Sequence, residues 1–275
     1  YLKLDTFGQA NDAFIKVGTE IGAQAVQKAL SRCSLKVSDV DAIFFTTVTG
    51  LATPTIDARL VNRLGFRPDV KRTPLFGLGC VGGAAGVARM SDYLRAFPNQ
   101  CAILLSVELC SLTLQLKDLS VPNLISSGLF GDGAACVVGV GAQHSLASSG
   151  LRVVDTHSTF FPDTERVMGW DVNEQGFNVV LSAGVPDIAR EKMAPSVHAV
   201  LETHGLTKSE INAWVCHPGG PKVLDAIEAS LELDRSALQI TWDSLAQIGN
   251  LSSASVLHVL AETFEQRAHT GHWVM

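Results

Sequence analysis

Three side chains in this 275-residue sequence have residue types suited to thioester chemistry: a thiol, an imidazole and a carboxamide. Cys80 lies in Phe76-Gly-Leu-Gly-Cys-Val-Gly-Gly-Ala-Ala-Gly86, between an expected strand and an expected helix. A thiol in the first turn of a helix feels roughly half a positive charge from the helix dipole, which lowers its pKa from a reference of about 8.5. The surrounding glycines leave room for a substrate to approach the backbone, whose N–H groups could bind an oxyanion. The plainer alternative is a core cysteine in a helix-packing seam. His217 closes Ala213-Trp-Val-Cys-His217 and precedes Pro218-Gly-Gly-Pro221, where a strand end faces a crevice. It is a candidate general base or oxyanion donor. The other seven histidines read as surface or packing residues, with His157 in an expected strand, His198, His204 and His258 on helices, and His144, His269 and His272 in loop-like stretches. Asn250, in Ile248-Gly-Asn-Leu-Ser-Ser-Ala254, is either a simple helix N-cap or an amide donor to an enolate oxygen.

The elements that must position these groups follow from apolar periodicity. A helical stripe runs from about Asn11 to Arg32, followed by a strand at 42–48 and a helix opened by Pro54 and ending at Leu64. Strand 74–78, helix 81–96, strand 101–107 and a β-branched run at 133–139 continue the alternation, a βαβαβ pattern. The second part opens with a strand-like run at 151–156 and continues with a helix at 186–204, a strand at 211–216, a helix at 221–231 and another at 252–266.

Residues 35–42 align with 206–213 at an offset of 171, matching leucine, serine, acidic, aliphatic and alanine positions between a long helix and a strand. Gly79-Cys80 and Gly249-Asn250 correspond at an offset of 170. The chain therefore reads as duplicated halves, 1–150 with the cysteine and 151–275 with the histidine and asparagine, around one core. Cys80, His217 and Asn250 are expected to converge from three strand–helix junctions.

Composition excludes several classes. Residues are 47% hydrophobic and 17% charged, which rules out disorder. The net charge is −6 with no run of five like charges, leaving no footprint for nucleic acid or an anionic membrane surface. No apolar run reaches the ~18 residues of a membrane span. The six cysteines show no C-x-x-C pair, so zinc is not supported and a cytoplasmic protein with free thiols is expected.

Gly79-Cys80, Val215-Cys-His-Pro-Gly-Gly-Pro221, Gly249-Asn-Leu-Ser-Ser-Ala254 and Leu129-Phe-Gly-Asp-Gly-Ala134 together resemble the type III polyketide synthases, the chalcone and stilbene synthase-like family. Thr47–Pro54 and Ser106–Ser111 look closer to bacterial and mycobacterial alkylpyrone synthases. The resemblance implies an α/β thiolase fold with duplicated βαβαβ halves in a five-layered αβαβα architecture, and a homodimer. It implies an acyltransferase that condenses an acyl-CoA starter, of medium or long chain, with malonyl-CoA and cyclises the product to an alkylpyrone or a related product. Coenzyme A thioesters are the expected partners, and no resident cofactor or metal is expected. By position Cys80 would carry the acyl group, while His217 and Asn250 would promote decarboxylation. Phe130, beside Gly131, falls on one gatekeeper position and Val179 on the other, with Phe177 a tempting aromatic neighbour. Thr53, Cys110 and Thr113 fall on cavity-shaping positions, Gly219 and Gly220 border the site, and Lys222 is a candidate contact to coenzyme A. Trp170, Trp214, Trp242 and Met193 read as packing. Set against the family pattern, an N-terminal CoA-binding portion and a final active-site loop are expected beyond the two ends. The alternatives are a ketoacyl-carrier-protein synthase III-like condensing enzyme and a catalytically silent CoA-binding member.

Overall fold

A computed structural model describes residues 4–266 and 272–275; the first three residues and His269 lie outside them. The chain opens with α1 (Phe7–Arg32), four residues longer at its start than its apolar stripe suggests, because the Thr6 hydroxyl caps it by accepting from the Gln9 N–H at 3.2 Å. Next come β1 (Ala42–Thr47), α2 (Ile56–Leu64), β2 (Lys71–Phe76), α3 (Gly82–Ala96) and β3 (Cys101–Leu109). Helix α4 (Val121–Leu129) and β4 (Asp132–Val140) complete the first part. A hairpin of β5 (Met168–Asn173) and β6 (Gly176–Leu181) leads into α5 (Val185–Thr203), β7 (Ile211–Ala213), α6 (Pro221–Leu231), α7 (Gln239–Ile248), α8 (Ser255–Gln266) and β8 (Trp273–Val274).

The main sheet has the order β2-β1-β3-β4, with β1 parallel to both neighbours and β4 antiparallel to β3. Every residue of β1 and β3 is buried, as expected of strands covered on both faces. The two-residue period divides them. Ile43, Phe45, Ile103, Leu105 and Val107 face Phe14, Val26, Ile56 and Leu60 of α1 and α2. Ala42, Phe44, Ala102 and Leu104 face Met90 and Leu94 of α3, together with Leu251, Ala254 and Leu257 from the second part of the chain. Helix α8 thus completes the core of the N-terminal sheet. A third cluster of Trp214, Leu224, Ile227, Leu231 and Leu238 lies under α5 and α6, and there Trp214 is packing, as its sequence context suggests.

The element order repeats. A long helix, a one-turn 3-10 helix, a strand and a further helix occur as α1, Val37–Asp39, β1 and α2, and again as α5, Lys208–Glu210, β7 and α6. Both one-turn helices are closed by an acidic side chain accepting from the backbone, Asp39 from the Lys36 N–H and Glu210 from the Thr207 N–H, each at 2.8 Å.

Four expectations need correction. The strand read over 211–216 ends at Ala213, so His217 lies in irregular chain before α6 rather than at a strand end. Residues 151–156 form no strand, so His157 lies in irregular chain; Val153 and Val154 are exposed, and a β-branched run without a partner strand has no ladder to join. Strand β2 begins three residues before Pro74 and ends before Leu78, with the proline tolerated because β2 is an edge. Asn250 follows helix α7 rather than a strand, and its only strand-like pairing is an isolated bridge to Phe130.

Helix α3 packs against the Ser252–Ala254 turn through glycine. A Cβ on Gly83 would lie 2.2 Å from the Ser253 carbonyl oxygen, a backbone atom that cannot swing aside. Gly83→Ala is expected to destabilise the fold by about 1–3 kcal/mol, read as a lower urea midpoint. At Gly128, where a Cβ meets nothing, the same change is expected to leave the midpoint much closer to that of the parent.

Candidate active site

Cys80 and Asn250 occupy matching positions. Each follows a glycine with left-handed φ, Gly79 at 59° and Gly249 at 72°, and each lies at or just before a one-turn 3-10 helix that runs into an α-helix. A side chain at either glycine would be strained, so the turn that presents each reactive group depends on the missing Cβ. The Cys80 Sγ lies 3.6 Å from the Ser252 Oγ and also takes a hydrogen bond from Asn250. The Asn250 carboxamide is held from both ends, its Oδ1 accepting from the Ser252 N–H at 2.8 Å and its Nδ2 reaching the Gly219 carbonyl at 3.5 Å. The Gly219 N–H in turn donates to the carbonyl of His217 at 2.8 Å. The His217 backbone is thereby linked through Gly219 to the Asn250 carboxamide, which neighbours Cys80.

A carboxylate that the sequence reading passed over lies beside these groups. Glu108 is fully buried, and one of its oxygens accepts from the Val48 N–H at 3.1 Å, the Thr47 hydroxyl at 3.2 Å and the Thr49 hydroxyl at 2.8 Å. The other accepts from the Ser253 hydroxyl, which also bonds Ser106 at 2.8 Å. Burial raises the Glu108 pKa and these donors oppose the rise. The signal in the sequence was a single acidic residue inside the otherwise uncharged run of β3.

The electrostatics overturn one expectation. Burial pushes the Cys80 thiol up to about 11; the hydrogen bonds from Ser252 and Asn250 pull the other way, and the Glu108 charge adds to the rise. Desolvation therefore outweighs the helix dipole. Burial also holds His217 down to about 4, and its Nδ1 has no partner. Burial thus biases both the thiol and the imidazole toward their neutral forms.

Beside the site lies a cavity of about 80 Å³. Its lining includes Phe130, Val179, Cys110 and Thr113, all four expected there, and also Trp170. Trp170 had read as packing; it stands opposite Val179 in the β5–β6 hairpin, and that pairing is what turns it to the cavity. Phe177 is buried against Phe7 and Trp170 and does not line the cavity. Burial raises the Cys110 thiol well above its ordinary range. Gly131 anchors the junction, its N–H donating to the Asn250 carbonyl at 2.9 Å, and a Cβ there would lie 2.8 Å from the Ile248 carbonyl. Gly220 adopts φ 143° at the start of α6, against Leu129. Thr53 and Lys222 are exposed, Thr53 on the loop before α2 and Lys222 in the first turn of α6; the resemblance would place Thr53 at a partner subunit's cavity and Lys222 against coenzyme A.

Residues 5–144 match the N-terminal domain of the chalcone and stilbene synthases, and residues 152–273 match their C-terminal domain. The chain belongs to the chalcone and stilbene synthase family. This synthase is 49% identical to a 1,3,6,8-tetrahydroxynaphthalene synthase of Streptomyces peucetius subsp. caesius, over 99% of its own length and 73% of the relative's. It is 30% identical to an alpha-pyrone synthesis polyketide synthase-like protein of Mycobacterium tuberculosis, over 94% of this chain and 65% of that one. The crystal structure of the Streptomyces coelicolor A3(2) tetrahydroxynaphthalene synthase, a bacterial type III polyketide synthase, superimposes with a TM-score of 0.91 at 32% identity, covering 96% of this chain and 75% of that chain. The synthase accordingly has the thiolase fold and is an acyltransferase of the type III polyketide synthase class. No helix among its described residues is long and apolar enough to cross a membrane.

The neutral thiol has a measurable consequence. Alkylation of Cys80 by iodoacetamide, followed by peptide mass spectrometry, should rise about tenfold per pH unit from pH 7 to 10 without levelling, because the thiolate fraction grows up to a pKa of about 11. A plateau at or below pH 8 would show a thiolate already formed.

Proposed function

We propose that this synthase loads an acyl group from a coenzyme A thioester onto Cys80 and extends it with malonyl units by decarboxylative Claisen condensation. The observation that carries this reading is the matched pair of glycine turns that present Cys80 and Asn250 at one junction, with the Asn250 carboxamide reaching the Gly219 carbonyl two residues from His217. In loading, the Cys80 sulfur forms a C–S bond to the thioester carbonyl as its proton passes to the neutral His217 imidazole; the bond to coenzyme A breaks, and the leaving thiolate recovers the proton. In extension, malonyl-CoA loses CO₂ while Asn250 Nδ2 and His217 donate to the thioester oxygen, stabilising the enolate. The enolate carbon then attacks the acyl-enzyme, and the Cys80 thiolate leaves. Phe130 at the cavity margin supports a role in excluding water from that carbanion.

The starter divides two readings. A medium- or long-chain acyl starter leading to an alkylpyrone follows from the sequence resemblance, and the alpha-pyrone relative supports it. The Trp170 wall of the cavity favours a compact starter over a long acyl tail. The naphthalene synthase relative at 49% identity supports an aromatic product.

A homodimer is supported by the open edge of β2, which pairs only with β1, and by exposed Phe76, Leu78 and Val81 beside Cys80. Six free cysteines support a reducing, cytoplasmic setting.

Mass spectrometry of products from malonyl-CoA alone and with added dodecanoyl-CoA, without carrier protein, tests the reading. Extended product is expected from malonyl-CoA alone; product only with dodecanoyl-CoA would favour the alkylpyrone route, and none in either case would sink the polyketide reading. Cys80→Ser should abolish acyl loading, whereas Asn250→Ala and His217→Ala should slow malonyl-CoA decarboxylation about 10²–10³-fold with a smaller effect on loading. Equal decarboxylation in all three variants would refute these roles. Trp170→Ala should enlarge the cavity and shift products toward longer chains or bulkier starters; an unchanged product spectrum would remove Trp170 from size control.

A further inference from the structure

The cavity lined by Phe130, whose backbone bridges to Asn250, has a polar wall built from α4 and the Cys110–Thr113 turn, and nearly every donor on that wall is spent within the protein. The Thr113 hydroxyl donates to the Cys110 carbonyl at 2.7 Å, and the Ser127 hydroxyl to the Asn123 carbonyl at 2.7 Å. The Asn123 amide donates to the carbonyls of Gln115 at 3.0 Å and Asp118 at 2.7 Å, and the Ser111 hydroxyl bonds the Asp132 carboxylate. Ser126 differs. It lines the cavity, is 9% exposed, and its Oγ has no hydrogen-bond partner.

A serine inside a helix ordinarily bonds back to the carbonyl four residues earlier, as Ser127 does, and a buried hydroxyl left unpaired costs about 1–3 kcal/mol. An orphan of this kind in a cavity wall calls for an explanation, and a ligand oxygen supplies one. The chain that grows in a polyketide synthase carries a ketone at every second carbon. We propose that the Ser126 hydroxyl is a positioning and specificity group that donates a hydrogen bond to the β-keto oxygen of the cavity-bound intermediate, so that the site distinguishes a β-keto thioester from its deoxygenated analogue. This inference rests on the polyketide reading of the site. It assigns Ser126 no proton transfer and no covalent step, only the anchoring of one ketone oxygen while the neighbouring carbons react at Cys80.

The test measures preference rather than turnover, so it remains decisive if the polyketide reading fails. In the intact enzyme carrying Cys80→Ala, which blocks acyl transfer, the dissociation constants of acetoacetyl-CoA and butyryl-CoA are compared by titration calorimetry. The parent should favour acetoacetyl-CoA. Adding Ser126→Ala should reduce that ratio about 3- to 10-fold, the value of one hydrogen bond, whereas Ser126→Thr, which keeps the hydroxyl, should largely retain it. A parent without preference, a ratio unchanged in Ser126→Ala, or a threonine variant that behaves like alanine would each overturn the proposal. Absence of extended product from the Cys80-containing enzyme would instead count against the polyketide reading, while the binding ratio still decides the role of Ser126.

Discussion

One buried carboxylate holds the reactive groups in register. Glu108 sits at the end of the central strand and takes hydrogen bonds from the loop after β1 on one side and from the turn before α8 on the other. A carboxylate in so dry a place is tolerated only when its lone pairs are filled, and here four donors fill them. Their geometry in turn fixes where Ser253 stands, and with it Ser252 and Asn250. The contact between Cys80 and Asn250 therefore depends on a residue that is not itself one of the proposed reacting groups. The close approach of Gly83 to Ser253 completes the same junction from the α3 side.

Two neutral partners at the centre follow from that packing. Burial disfavours charge on both the Cys80 sulfur and the His217 ring. A site of this kind stores its reactivity in hydrogen bonds that strengthen as charge develops rather than in a thiolate waiting for substrate.

Much of this was legible in the sequence because the relevant signals are local. The paired glycines before Cys80 and Asn250 mark turns that only glycine makes without strain, and the matched segments at an offset of 171 announced the recurring 3-10 turn. The β1 and β3 strands could be read from their unbroken apolar runs. Features that depend on what lies across space were not legible. The helix before Asn250 carries no start signal stronger than the turn around it, and the stretch from Leu151 to Thr156 has the composition of a strand but no edge to join. The dipole argument for Cys80 was sound as far as it went; it lacked the depth of burial, which no single-chain pattern reports. Trp170 showed only that it is large, whereas its place on the cavity wall comes from the register of a hairpin with Val179.

That hairpin is a sheet of two strands, β5 and β6, bonded in register to each other and to no third strand, whereas the groups proposed to react are set by the glycine turns and by Glu108. Selection can therefore reshape the vessel without disturbing the reagent. Substitutions at Trp170 or Val179 alter the cavity wall alone, whereas a side chain at Gly79 or Gly249 would strain the turns that present Cys80 and Asn250. A lineage built on this plan would diversify its products quickly and its chemistry hardly at all.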